Sequence, residues 1–154
     1  MDIQIVISDN RRLYVEAATR TELKLTKLQR CVYCLLLERD AMGTGEERWE
    51  HSARLCALYD FFNQSIGTKP RYAYECVVNL MPPIEPDGKR KNQALRELIS
   101  KANRKIRECV PDYADELVIK YKDGRYYIDV PKSQVKYETT STAFSSLRKG
   151  CQIR

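Results

Sequence analysis

Residues 117–130 read Leu-Val-Ile-Lys-Tyr-Lys-Asp-Gly-Arg-Tyr-Tyr-Ile-Asp-Val, and Asp123-Gly124 in the middle favours folding this stretch back on itself. A two-residue hairpin turn needs positive φ at its central positions, and Asp-Gly is one of the pairs that supplies it. Such a turn sets Tyr121 opposite Tyr126, Ile119 opposite Ile128 and Leu117 opposite Val130, so three apolar pairs share one face. The other face carries Lys122 opposite Arg125 and Lys120 opposite Tyr127. Like charges facing each other beside a turn repel mildly, and a bound phosphate would relieve them.

The segment before the hairpin predicts an amphipathic helix over residues 92–109, stopped by Pro111. At about 100° per residue, Leu95, Leu98, Ile99, Ala102, Ile106 and Cys109 fall in one apolar sector. Arg96, Ser100, Asn103 and Arg107 gather in a second sector with Arg104 at its border, and Glu97 and Glu108 lie beyond Arg104. The second sector is therefore polar, basic and free of acid. Lys89-Arg90-Lys91 stand at the helix start, and residues 89–107 carry eight basic side chains and one acidic one. Arginine and asparagine can read guanine and adenine edges in the major groove, while lysines and arginines at a helix start commonly hold phosphates. A solvated helix face is the ordinary alternative use of such charge.

Upstream, Ile3, Ile5 and Ile7 alternate with polar residues until Asp9-Asn10-Arg11 interrupts them. A three-residue loop there pairs Ile7 with Leu13, Ile5 with Val15 and Ile3 with Ala17, all on one face. A first helix follows, capped by Thr26 and running to about Arg39, with Leu28, Val32, Leu35 and Leu36 buried. A second helix is expected over about 51–64, with Leu55, Leu58, Tyr59 and Phe62 inward. Residues 40–50 and 64–91 are expected as insertions, the latter punctuated by Gly67, Pro70, Pro82-Pro83 and Pro86-Asp-Gly88. Residues 1–131 form the expected domain, and 132–154, rich in Ser and Thr, a polar tail.

The chain has 154 residues, of which 43% are hydrophobic, enough for one domain with a real core. The net charge of +6 favours a polyanionic partner only weakly. The N-terminal stretch has no basic start followed by a long apolar run, so no signal peptide is expected. No window approaches a membrane span, and the expectation is a cytoplasmic chain with no membrane partner. Six cysteines are read as thiols serving as small apolar side chains. Cys31-Val-Tyr-Cys34 has no second such pair, and His51 is the single histidine, so no metal or other cofactor is expected. No phosphate loop, nucleophile elbow or catalytic constellation is present; Asp112, Asp115 and Glu116 read as a solvated loop, and the chain is not expected to be an enzyme.

The order strand pair, helix, helix, basic helix and hairpin resembles the winged-helix DNA-binding domain of OmpR-type response regulators. Residues 25–39, opening Leu25-Thr26 and running into Leu35-Leu36-Leu37, resemble that family's first helix. Ile99-Ser100-Lys101-Ala102-Asn103-Arg104-Lys105-Ile106-Arg107 resembles its recognition helix, and Ile119-Lys120, Gly124 and Tyr127 resemble its wing. The chain departs from the family in its insertions, in Tyr126 at the wing's second glycine, and in having no receiver domain. The resemblance implies an α+β winged helix-turn-helix with an N-terminal antiparallel strand pair, three main helices and a C-terminal hairpin wing. It implies a double-stranded DNA-binding transcriptional regulator, with helix 92–109 in the major groove and wing 117–130 on the backbone or minor groove. The expected contacts are Lys89, Arg90, Lys91, Arg96, Ser100, Asn103, Arg104, Arg107, Lys120, Lys122 and Arg125. The alternative is a winged helix whose partner is protein, through Trp49, Tyr72, Tyr74 and Tyr127, and a homodimer fits either case.

Overall fold

The N-terminal alternation folds as expected and is then extended on both sides. The computed structural model describes residues 3–38, 42–43, 48–63 and 93–138, and of 42–43, 48–53 and 63 it describes the backbone. Strand β1 (Gln4–Ser8) pairs antiparallel with β2 (Leu13–Glu16), with Ile5 opposite Val15 and Ile7 opposite Leu13. Arg11 closes the connecting loop at φ 64°, a left-handed conformation that hairpins of this loop length use. Its side chain holds it there: Nε donates to the Phe61 carbonyl at 3.1 Å and the guanidinium lies 5.0 Å from the Phe61 ring.

The expected strand pair is in fact part of a four-stranded sheet ordered β3-β2-β1-β7. Strand β3 (Arg20–Leu23) adds antiparallel to β2, and β7 (Val135–Glu138) adds parallel to β1. Residues 132–138, expected within a polar tail, therefore return to the start of the chain; residues 139–154 lie outside the described residues. Arg20 crosses the outer face of this sheet to reach both Glu16 and Glu138 at 2.6 Å.

Helix α1 (Lys27–Glu38) begins at a reciprocal cap. The Gln29 backbone N–H donates to Thr26 Oγ1 at 3.3 Å, and the Thr26 backbone N–H donates to Gln29 Oε1 at 2.9 Å. The helix is buried all round from Cys31 to Leu37, more than the stripe expected from Val32, Leu35 and Leu36, while Leu28 is half-buried. Such a helix lies inside the core rather than on its surface. Helix α2 (Arg48–Asn63) packs along it and starts earlier than expected, while strand β4 (Met42–Gly43) occupies part of the supposed insertion at 40–50. Arg54 on α2 and Glu38 on α1 form a bidentate ion pair with side chains only 5% and 11% exposed.

Helix α3 (Gln93–Cys109) buries Leu95, Ile99, Ala102 and Ile106 against the common core and packs against α1 and β3. Each large aliphatic side chain buried this way contributes about 1.5–3 kcal/mol. After Pro111 the chain makes one helical turn, α4 (Ala114–Leu117), where a loop was expected. The buried Tyr33 hydroxyl donates to the Leu117 carbonyl at 2.6 Å, tying this turn to α1. Leu117 is therefore not a strand partner of Val130. The hairpin strands are β5 (Lys120–Lys122) and β6 (Arg125–Tyr127), and β4 pairs with β6 to give a three-stranded sheet ordered β4-β6-β5. The architecture is mixed α+β. Among the described residues, no helix is long and apolar enough to cross a membrane.

Candidate nucleic-acid interface

The apolar face of α3 fixes which of its side chains look outward. With Leu95, Ile99, Ala102 and Ile106 buried, Arg96, Ser100, Arg104 and Arg107 are exposed. Among the described residues, no ion pair or hydrogen bond engages the side chains of Arg96, Arg104 or Arg107. Arginines elsewhere whose side chains are described have partners. Arg12 meets Glu22 at 3.0 Å, Arg20 meets Glu16 and Glu138, and Arg54 meets Glu38. Arg11 donates to the Phe61 carbonyl, and Arg30 donates to the Leu25 carbonyl at 2.7 Å and stacks 5.2 Å from the Phe62 ring. The acid-free sector has a neighbour, however: Glu97 and Lys101 join Ser100 and Arg104 around a shallow cleft on the helix surface.

Asn103 belongs to the same sector by angle but not by use. Its amide nitrogen donates to the Ile119 carbonyl at 2.9 Å, and its amide oxygen accepts from the Ile119 N–H at 2.8 Å. A side chain with both ends committed to one backbone residue is a strut. It sets the position of the hairpin against α3, and its polar groups are spent on that contact. The helical wheel groups Asn103 with the basic sector as a base contact; its two hydrogen bonds to Ile119 instead commit it to the strand that packs beside the helix.

The hairpin has the expected turn. Asp123 and Gly124 both have positive φ, 53° and 76°, and the register sets Tyr121 opposite Tyr126, Lys122 opposite Arg125 and Lys120 opposite Tyr127. Lys122 and Arg125 are both exposed. Lys120 reaches along the sheet to Asp129 at 2.6 Å, so its charge is partly answered within the chain. On the other face, Tyr126 is buried while Tyr121 is 56% exposed, with ring centroids 4.8 Å apart and planes tilted by 57°. Burial pushes the Tyr126 hydroxyl pKa up, Tyr121 adds to the rise, and the positive charge of Arg96 opposes it. Arg96 on α3 thus lies near enough to act on the Tyr126 hydroxyl.

Tyr121 and Tyr126 share a face as the expected apolar pair, but only Tyr126 is buried: β6 is the central strand of the β4-β6-β5 sheet and β5 is its edge. Lys89, Arg90 and Lys91, and the insertion 64–91, lie outside the described residues. Of Trp49 and His51 only the backbone, within α2, is described; Tyr72 and Tyr74 lie outside. Cys31 and Cys34 are buried on α1, and among the described residues no cluster of three or more His, Cys, Asp and Glu is positioned to hold a metal ion. No family model, no curated protein and no solved structure matches this chain.

Proposed function

We propose that this chain is a double-stranded DNA-binding protein of the transcriptional-regulator kind, built as a winged helix that uses α3 and the hairpin 120–127. The observation that carries the reading is the set of exposed α3 arginines, Arg96, Arg104 and Arg107, that have no ion-pair or hydrogen-bond partner among the described residues. A chain that satisfies its other described arginines internally and leaves these presented is suited to an external anion. The succession α1, β4, α2, α3, hairpin, with β4 closing the hairpin sheet, supports the winged-helix assignment.

The dimensions agree. An α-helix with its side chains is about 10–12 Å across and the major groove of B-DNA is about 12 Å wide. With α3 in that groove, Arg96, Arg104 and Arg107 meet guanine edges or flanking phosphates, and Ser100 meets either. Lys122, exposed beside the turn, then reaches the adjoining backbone.

The test is a fluorescence-anisotropy titration of labelled duplex DNA across a salt series. If about four phosphates are contacted, affinity falls roughly a hundredfold between 50 and 200 mM salt. No binding at the lowest salt contradicts the proposal, because the electrostatic contribution is then at its largest.

A further inference from the structure

Among the described residues, Tyr121 is the large hydrophobic side chain left exposed. It is also held in place. Its ring leans on the buried ring of Tyr126, and its hydroxyl lies 4.0 Å from where a Cβ on Gly124 would sit, so it runs along the turn toward the tip. Cross-strand aromatic pairs stabilise hairpins, and this contact contributes to the turn. That role needs the two rings to touch, but it leaves more than half of the Tyr121 surface open to water.

The hairpin tip that carries this ring is cationic. Lys122 and Arg125 pair on the opposite face of the same ladder, and on the ring's own face Arg96 of α3 lies close enough to influence the Tyr126 hydroxyl. Residues 120–127 hold three cations and one acid, Asp123 at the turn. A fixed aromatic ring at a cationic hairpin tip is a pairing that holds single-stranded nucleic acid: cations follow the backbone, and the ring takes a base face. An intact duplex offers only base edges in its grooves, because each base face is covered by its neighbours. The face of Tyr121 therefore has a full partner only where a base has left the stack.

We infer that Tyr121 is a stacking platform for an unpaired base, and that the chain prefers duplex DNA interrupted by unpaired bases to fully paired duplex. This rests on the proposed DNA binding and adds to it a class of DNA structure. The hairpin tip takes the unpaired base while α3 remains on the adjoining duplex.

The experiment titrates the full chain against a fully paired duplex and against the same duplex carrying a short mismatched bubble with 2-aminopurine in it. The wild type binds the bubble about tenfold more tightly, and stacking quenches the 2-aminopurine fluorescence. Tyr121→Phe keeps both the preference and the quenching; Tyr121→Ala brings the two affinities together and loses the quenching, with circular dichroism confirming an unchanged fold. Equal wild-type affinities, or a preference that survives in Tyr121→Ala, overturns the inference and leaves duplex binding standing. Failure to bind either probe at low salt overturns both.

Discussion

The N-terminal sheet and its flanking helices use their arginines differently from α3. On the sheet, Arg12 is answered by Glu22, and Arg20 by Glu16 and Glu138; between α1 and α2, Arg54 is answered by Glu38. On α3, Arg96, Arg104 and Arg107 face outward with no ion pair or hydrogen bond to a described residue. The net charge of +6 says only that cations exceed acids. Their pairing says where the excess stands, and it separates arginines that build the fold from arginines that remain for a partner.

The comparison can be broken most severely at Arg54. Arg54→Ala removes the bidentate partner of the nearly buried Glu38 carboxylate and should cost about 3–5 kcal/mol, read as a lower midpoint in urea denaturation. A loss below 1 kcal/mol would place Arg54 with the surface charges instead. Asn103 gives the next largest effect. Asn103→Ala strands the Ile119 N–H and carbonyl and should destabilise by about 1–3 kcal/mol, while leaving the base preference of any bound DNA unaltered. A change in base preference at normal stability would return Asn103 to the reading face.

Replacing Arg104 and Arg107 together with alanine should leave stability within about 0.5 kcal/mol, since both side chains are exposed and neither is paired with a described residue. The same variant should weaken duplex binding, by roughly tenfold or more. The smallest effect belongs to the sheet surface. Arg20 holds the Glu138 carboxyl below the ordinary glutamate pKa, mainly by their hydrogen bond. The contribution of this pair is therefore full above the ordinary glutamate pKa and is lost as pH falls through the lowered value. Arg20→Ala should move the NMR titration of Glu138 upward with little change in melting temperature; an unmoved titration would mean that the pair is not held in solution.

Much of the frame was legible because it is local. Alternation placed Ile5 against Val15 and Ile7 against Leu13, Thr26 announced its helix, and Asp123-Gly124 fixed the hairpin register. What escaped was distant or short. Strand β7 reads Val-Lys-Tyr-Glu, is only partly buried, and pairs in parallel with a strand near the opposite end of the chain. Strand β3 has one buried residue, Leu23, and so no alternation to detect. Helix α4 is a single turn, too short for periodicity, and its acids disguised it as loop. On the candidate site, the angular sectors identified the exposed arginines. They could not separate Asn103, whose use is decided by the strand that packs there, or show that Tyr121 would stand exposed on an edge strand.

The most direct test sets the slope of log affinity against log salt for three proteins on one duplex: wild type, Arg104→Ala with Arg107→Ala, and Arg12→Ala with Arg20→Ala. Each lost phosphate contact flattens the slope by about one. The α3 variant should therefore be flatter by one to about two, and the sheet variant should superimpose on the wild type. Equal flattening in both variants, or none in the α3 variant, would contradict the assignment of DNA binding to the α3 face.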